Sequence, residues 1–344
     1  MKDQTWKHCL FWFILLELVC NTIPSLAQRT GEPLRLTRGG ATASPGSHVP
    51  RASTQSLAPG SPSYTFSYFD YPQSPYTVPY GINSGAMSSK MAIVGPYGPE
   101  MGDGFVLEVE GKKGTSYVFR TVAYPGEAYQ EAFGVNDLGW IVGYYYDGSV
   151  DHGYEFSGGK FKTLDVPFSG AVDTYASGIN NSGDVVGIWV DSGGVNHGFL
   201  LKAGVYVSFD YPGSINTEAD SLNNVGDIVG SYEDPQGNWH GYTDSGGNFS
   251  SIDVPGAQFT DAIGINDSGD VVGDYCMGAG CVQSGNAFQG FLLRGGVYTT
   301  INVPGAINTI LENINNNDVI VGGYLDSRGE YDSLGAAHGF IAYP

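Results

Sequence analysis

The chain has 344 residues, 15 Lys+Arg against 35 Asp+Glu for a formal charge of −20, and 13% aromatic against 15% charged residues. That balance excludes a disordered polymer, which carries more charge and fewer rings. It also excludes a duplex nucleic-acid binder, which needs a basic stripe to neutralise phosphates.

The first 27 residues read as a secretory leader. Lys2 and Lys7 charge its start, an apolar stretch from Cys9 to Val19 is broken only by Glu17, and Ser25-Leu26-Ala27 supplies the small-x-small cleavage pattern. The stretch is shorter than the ~20 residues of an anchor. Cleavage after Ala27 and secretion are therefore expected, with no membrane span afterwards. Residues 28–63 carry four Arg, one acid and no Phe, Tyr or Trp among many Ser, Pro, Gly and Thr, and read as a disordered linker. Because residues 1–63 are net basic, residues 64–344 hold a net charge of −23.

Downstream of residue 64 one phrase recurs six times, most cleanly as TDAIGINDSGDVVGDY followed by a loop and QGFLLRGGVYTTINVPGA. Its closing prolines, Pro72, Pro125, Pro167, Pro212, Pro255 and Pro304, are spaced by 53, 42, 45, 43 and 49 residues, a period that marks a solenoid, propeller or array. Each unit offers four short runs rich in β-branched and aromatic residues: T-x-A-x-G-I-N, D-V-V-G-x-Y, H-G-F-L-L and V-Y-x-x-x-D-x-P. N-x-x-G-D between the first two suits a tight hairpin, with Asn capping the turn and Gly accepting positive φ. Four strands in ~40–50 residues match a propeller blade. The last unit stops at His338–Pro344 without a fourth strand, while Thr65–Pro72 is a surplus one. The expected fold is thus all-β: a six-bladed β-propeller over residues 64–344, with four-stranded blades, closed by the N-terminal strand completing the last blade. The first blade, at about residues 81–124, is the doubtful one, with an insert at Ala86–Met91 and a degenerate Asp103-Gly104-Phe105.

These phrases resemble the HAF-repeat family of extracellular proteins over roughly residues 65–344. The resemblance implies a repeat fold outside the cell and carries over no catalytic residue. Ser221-Leu222-Asn223, Asn313-Ile314-Asn315 and Gln289 depart from its pattern.

Several columns of the repeat could carry chemistry. His152, His197, His240 and His338 share one position, before Gly and an aromatic. Equivalent positions on a ring lie too far apart for zinc, whose ligands sit at ~2.0–2.1 Å, so each is expected to bond a turn in or beside its own blade. Thr77, Gln130, Thr174, Thr217, Thr260 and Thr309 start the strand nearest the axis; Thr174, Thr217 and Thr260 are candidate ligand contacts, with a cap on the crossing turn as the alternative. The next column, Val78, Glu131, Tyr175, Glu218, Asp261 and Ile310, varies between blades, as an asymmetric ligand requires. Tyr175 is a candidate contact, and Glu131, Glu218 and Asp261 are the candidates for acid–base work if the protein is an enzyme.

The loops between second and third strands hold Glu100, Asp147, Asp151, Asp191, Glu233, Asp234, Asp274, Asp326, Glu330 and Asp332, with Trp239 nearby. Carboxylates suit Ca²⁺ and aromatics suit sugar rings, although no D-x-[DN]-x-[DN]-G calcium loop is present. Cys276 and Cys281 are expected to form a local disulfide in an oxidising compartment. Asp191–Gly194 and Asp244–Gly247 imitate a serine-protease phrase at related blade positions and read as hairpin turns. The leading reading is a secreted binding module for an extracellular glycan, cell-surface polymer or protein. The alternatives are a propeller-type glycoside hydrolase or lyase, with Ca²⁺ as its cofactor if one is used, and a structural surface protein. A ring this acidic is expected to stay monomeric.

Overall fold

A computed structural model describes residues 41–42, 53–54 and 63–344, except 75, 86–89, 99–101, 111–115, 128, 279–280, 282–287 and 327–336. The leader and most of the linker lie outside the described residues, as do Glu100, Glu330, Asp332 and most of the first-blade insert.

Each blade is assembled around one small residue and one large one. The V-G glycines (Gly95, Gly143, Gly187, Gly230, Gly273, Gly322) lie opposite the aromatic of the H-G-F run on the adjacent strand, pairing with Phe105, Tyr154, Phe199, Tyr242, Phe291 and Phe340. Those six rings are almost completely buried, and each contributes about 1.5–3 kcal/mol by leaving water. On the other side the glycine meets the innermost strand so closely that an added Cβ would lie 1.9–2.0 Å from a carbonyl oxygen there. Only Gly permits that approach.

Repeated six times, this arrangement gives six antiparallel sheets, five built on four consecutive strands and the sixth on three C-terminal strands completed by Thr65–Phe69. The innermost strands are Gly81–Ile82, Tyr129–Val135, Ala171–Ile179, Asn216–Leu222, Ala257–Ile265 and Ala306–Ile314. Each touches the innermost strand of the next blade, the last touches the first, and the ring is a six-bladed β-propeller. Apolar clusters fill the spaces between successive blades, for example Val142 of blade 2 with Ala176 and Phe199 of blade 3.

Blade 1 is complete, with strands Gly81–Ile82, Met91–Tyr97, Asp103–Glu110 and Ser116–Val122. Its inner strand is short because Pro79 and Pro96 remove ladder donors; Tyr80 N–H still donates to Val94 O at 2.8 Å. Blade 6 takes Thr65–Phe69 as its outer strand, with Tyr343 opposite Thr65 and Gly339 opposite Phe69. Two dipeptides extend sheet edges: Ala41–Thr42 pairs with Val118–Phe119, and Ser53–Thr54 with Thr65–Phe66. Among the described residues no helix is long and apolar enough to cross a membrane.

The hairpins joining the first two strands of each blade form one face of the ring. Their Asn caps do two jobs. In blade 3, Asn180 Oδ1 accepts the N–H groups of Ser182 and Asp184, both at 3.0 Å, while Nδ2 donates to Asn223 O of blade 4 at 3.3 Å. The same forward bond links Asn83 to Asn136, Asn136 to Asn180, Asn223 to Asn266 and Asn315 to Asn83. One residue along, a second circuit closes completely. The N–H of Ser84, Asp137, Asn181, Asn224 and Asp267 each donates at 2.8 Å to the side-chain oxygen of its counterpart one blade on, and Asn316 N–H returns to Ser84 Oγ at 3.2 Å.

Candidate functional site

Side chains alternate along a strand, so positions two apart share a face. Three columns therefore line the axis together: the one containing Glu131 and Tyr175, the one two residues further along, and the cross-strand neighbour on the second strand. The second of these falls on a β-bulge in blades 2 to 6, opposite no single partner, as at Asp220 between Ala219 and Ser221 and at Glu312 between Leu311 and Asn313. A bulge re-aims the residue it carries.

The lining divides the ring in two. Blades 1–3 contribute a continuous aromatic wall in which Tyr80, Phe133, Tyr144 and Tyr175 pack with Ile188 and Val190. Ring centroids are 5.3 Å apart for Tyr80–Phe133, 5.4 Å for Phe133–Tyr144 and 4.9 Å for Tyr144–Tyr175. Blades 4–6 contribute Glu218, Asp220, Asp261, Asp274 and Glu312. Asp274 lies directly across the strand pair from Asp261. Glu131 sits at the aromatic side, its Oε1 accepting the hydroxyls of Tyr129 at 2.8 Å and Tyr144 at 3.1 Å.

Burial pushes these carboxyls out of the ordinary range. Glu131 and Asp261 are raised to about 7 and Glu218 to about 8, with the Asp261 charge adding to the effect on Glu218. Asp220, Asp274 and Glu312 are raised well above the usual carboxylate value, again by burial first and then by neighbouring carboxylates. Asp261 and Glu312 act on Asp220 from the next blade and the one beyond, so the three face a common interior.

The other expected residues have different surroundings. Thr174, Thr217 and Thr260, expected as ligand contacts, are buried and cap the crossings instead: their Oγ1 atoms accept the N–H of Val166 at 3.3 Å, Tyr211 at 3.0 Å and Val254 at 3.1 Å. Thr77 and Thr309 do the same, and Gln130 substitutes a side-chain amide for the hydroxyl. Tyr175 lies in the aromatic wall and donates to Asp151 Oδ2 at 2.7 Å. Trp239 is packed away from the axis with Phe259, Phe288 and the two cysteines. Cys276 and Cys281 form a disulfide.

The histidines bond within their own blades. His152, His197, His240 and His338 place Nδ1 2.9, 2.9, 2.6 and 3.0 Å from Asp165, Asp210, Asp253 and Asp70, the aspartates of the D-x-P phrases. The rings lie against Tyr145, Trp189, Tyr232 and Tyr324. Loop acids Asp147, Asp191 and Asp234 accept the N–H groups of their own turns. The two protease-like phrases are both turns, but not at related positions: Asp191–Gly194 joins second and third strands, and Asp244–Gly247 joins third and fourth.

The hairpin-face mouth holds a cavity of ≈ 70 Å³ lined by the G-I-N residues and the closed circuit. Among the described residues, no group of three or more His, Cys, Asp or Glu is placed to hold a metal ion.

Among solved structures the chain is similar to AofleA from Arthrobotrys oligospora, with 11% identity and a TM-score of 0.50 over 81% of this chain and 86% of that one. The sialidase of Trypanosoma rangeli in complex with sialic acid follows at 10% identity and 0.48, over 83% of this chain and 59% of that one. The fucose-specific lectin from Aleuria aurantia has 10% identity and 0.46, over 78% and 96%. No family model matches the chain, and no curated protein matches it. At such identities the likeness to AofleA shows the fold, and the chemistry has to be read from this chain's own axis.

Proposed function

We propose that the protein is a secreted, HAF-type glycan-binding module whose ligand occupies the axial channel. One observation carries this reading: rings predominate on the half of the axis formed by blades 1–3, with Glu131 among them, and five carboxyls stand on the half formed by blades 4–6. Aromatic faces take the apolar face of a pyranose. Carboxyls that remain protonated near neutrality both donate to and accept from sugar hydroxyls. Entry is from the crossing face, because the opposite mouth is cinched by its hydrogen-bonded circuit and its ≈ 70 Å³ cavity is far below the ~300 Å³ of ordinary ligand pockets. The leader-like start supports an extracellular setting.

The test is titration calorimetry of the full-length chain against a polysaccharide panel, with Tyr175→Ala as the paired variant. Retention of at least one polysaccharide, weakened about tenfold in the variant for a lost stacking contact, is the expected result. Equal binding by both proteins, or no binding across the panel, overturns the axial assignment.

A further inference from the structure

The carboxyl half of the axis holds more acid than its hydrogen bonds satisfy. Asp220 is 7% exposed and neither of its carboxyl oxygens has a hydrogen-bond partner. Glu312 is 4% exposed with Oε2 unpartnered, and Asp261 Oδ1 is enclosed and unpartnered as well. The neighbours that act electrostatically on Asp220, Asp274 and Glu312 are other carboxylates. All four buried carboxyl oxygens left without a partner among the described residues lie on this side of the axis, although the Tyr64, Tyr154 and Tyr343 hydroxyls are unpartnered elsewhere in the blades. Other buried polar side chains, such as Asn180 and Thr217, are spent on bonds within the fold.

A neutral ligand could bond these oxygens while the carboxyls keep their protons. A cation entering there would displace those protons and pair with the carboxylates left behind. Among the described residues no group of carboxyls is placed to hold a metal ion, which favours a cation held by hydrogen bonds from its own N–H donors over a coordinated one. Across the channel stand Tyr80, Phe133 and Tyr175, and aromatic faces attract ammonium groups as well as sugar rings.

We infer that the channel takes a saccharide bearing a primary ammonium, with the charged nitrogen directed to Asp220, Asp261 and Glu312 and the sugar ring against the Tyr80–Phe133–Tyr175 wall. This deepens the glycan-binding reading and rests on it. It places the specificity of the site in the bulge column, and it predicts that masking the amine destroys recognition.

The experiment compares four probes on the full-length wild-type chain by calorimetry: a β-1,4-linked glucosamine oligosaccharide, its fully N-acetylated counterpart, spermidine, and Ca²⁺. Tightest binding of the glucosamine oligosaccharide, lost by about 30-fold in Asp220→Asn/Glu312→Gln as for a truncated charged partner, supports the inference. Equal or tighter binding of the N-acetylated oligosaccharide overturns it while leaving the glycan reading intact. Spermidine binding as tightly as the amino sugar overturns the saccharide half of the assignment, and Ca²⁺ alone binding overturns the organic-ammonium half. Failure of both oligosaccharides overturns the inference together with its parent reading for these sugars. Because the probe comparison is made on wild-type protein, it stands even where the double variant is unstable.

Discussion

Glu131, Glu218 and Asp261 each keep a proton in the folded chain that they would give up when unfolded near neutral pH, since their values rise from 4.5, 4.5 and 3.8 to about 7, 8 and 7. Between the ordinary carboxylate range and about pH 8 the native state therefore binds more protons than the unfolded one, and stability falls as pH rises. His152, raised by Asp165 and Asp147, pulls the same way, because its contribution is lost as pH climbs through its folded value. Asp234, lowered to about 2 chiefly by the Asn238 side chain, and Asp147, lowered by Ser149 and Val150, set the acid limb. The melting temperature is expected to be higher at pH 5.5 than at pH 8, and Glu218→Gln should flatten that slope. A melting temperature that climbs from pH 5.5 to pH 8 in the wild type would contradict this account. Part of this site was legible in the sequence: Glu131, Glu218 and Asp261 stood out because their column varies where its neighbours repeat. Asp220 and Glu312 did not, although they lie two residues along on the same face, because a bulge shifts the pairing there and no sequence phrase marks it. Asp274 read as a loop acid because the second strand runs further than its V-G phrase suggests. The threonine column reads in sequence as either ligand contacts or caps on the crossings, because a hydroxyl that caps a crossing and one that awaits a ligand look the same there; in the structure these hydroxyls accept crossing N–H groups.

Among the elements, the decisive contact is the V-G glycine wedged between an inner-strand carbonyl and a buried ring. In blade 3 an added Cβ on Gly187 would lie 1.9 Å from Tyr175 O and 2.7 Å from the Phe199 ring. Neither neighbour can yield freely, since one is backbone and the other is fully buried. Gly187→Ala is expected to destabilise the protein by about 3 kcal/mol, at the upper end for overpacking, and to loosen the inner strand that presents Tyr175. Chemical denaturation would show this as a lower midpoint. An unchanged midpoint would mean that the inner strand is not held as described. The strands themselves were readable from alternation and turn residues. The shortness of the first inner strand follows from Pro79 and Pro96, both visible in the sequence; what the sequence did not reveal is that Tyr80 keeps its bond to Val94 regardless.

For the whole molecule, six blades could be counted from the spacing of six prolines, and closure from a missing strand at one end and a surplus strand at the other. Thr65–Phe69 covers the last blade's edge, and Asp70 just beyond it holds His338 at 3.0 Å. Removing residues 1–70 leaves His338–Tyr343 as an unpaired edge with Phe340 beneath it, the kind of edge that templates association. Such a truncation is expected to run as oligomer or aggregate in size-exclusion chromatography, whereas the full-length chain runs as a monomer. A monomeric truncation with an unchanged melting temperature would show that the ring does not depend on this strand. The division of the axis has a last consequence. Six equivalent walls would create a field directed only along the pore and allow a guest six indistinguishable rotational settings. With rings and the single Glu131 on blades 1–3 and five carboxyls on blades 4–6, ionisation produces a transverse dipole instead. A polar guest of the kind proposed would then be turned about the axis into a single heading, so that a fold with near six-fold symmetry outside would act as a compass inside.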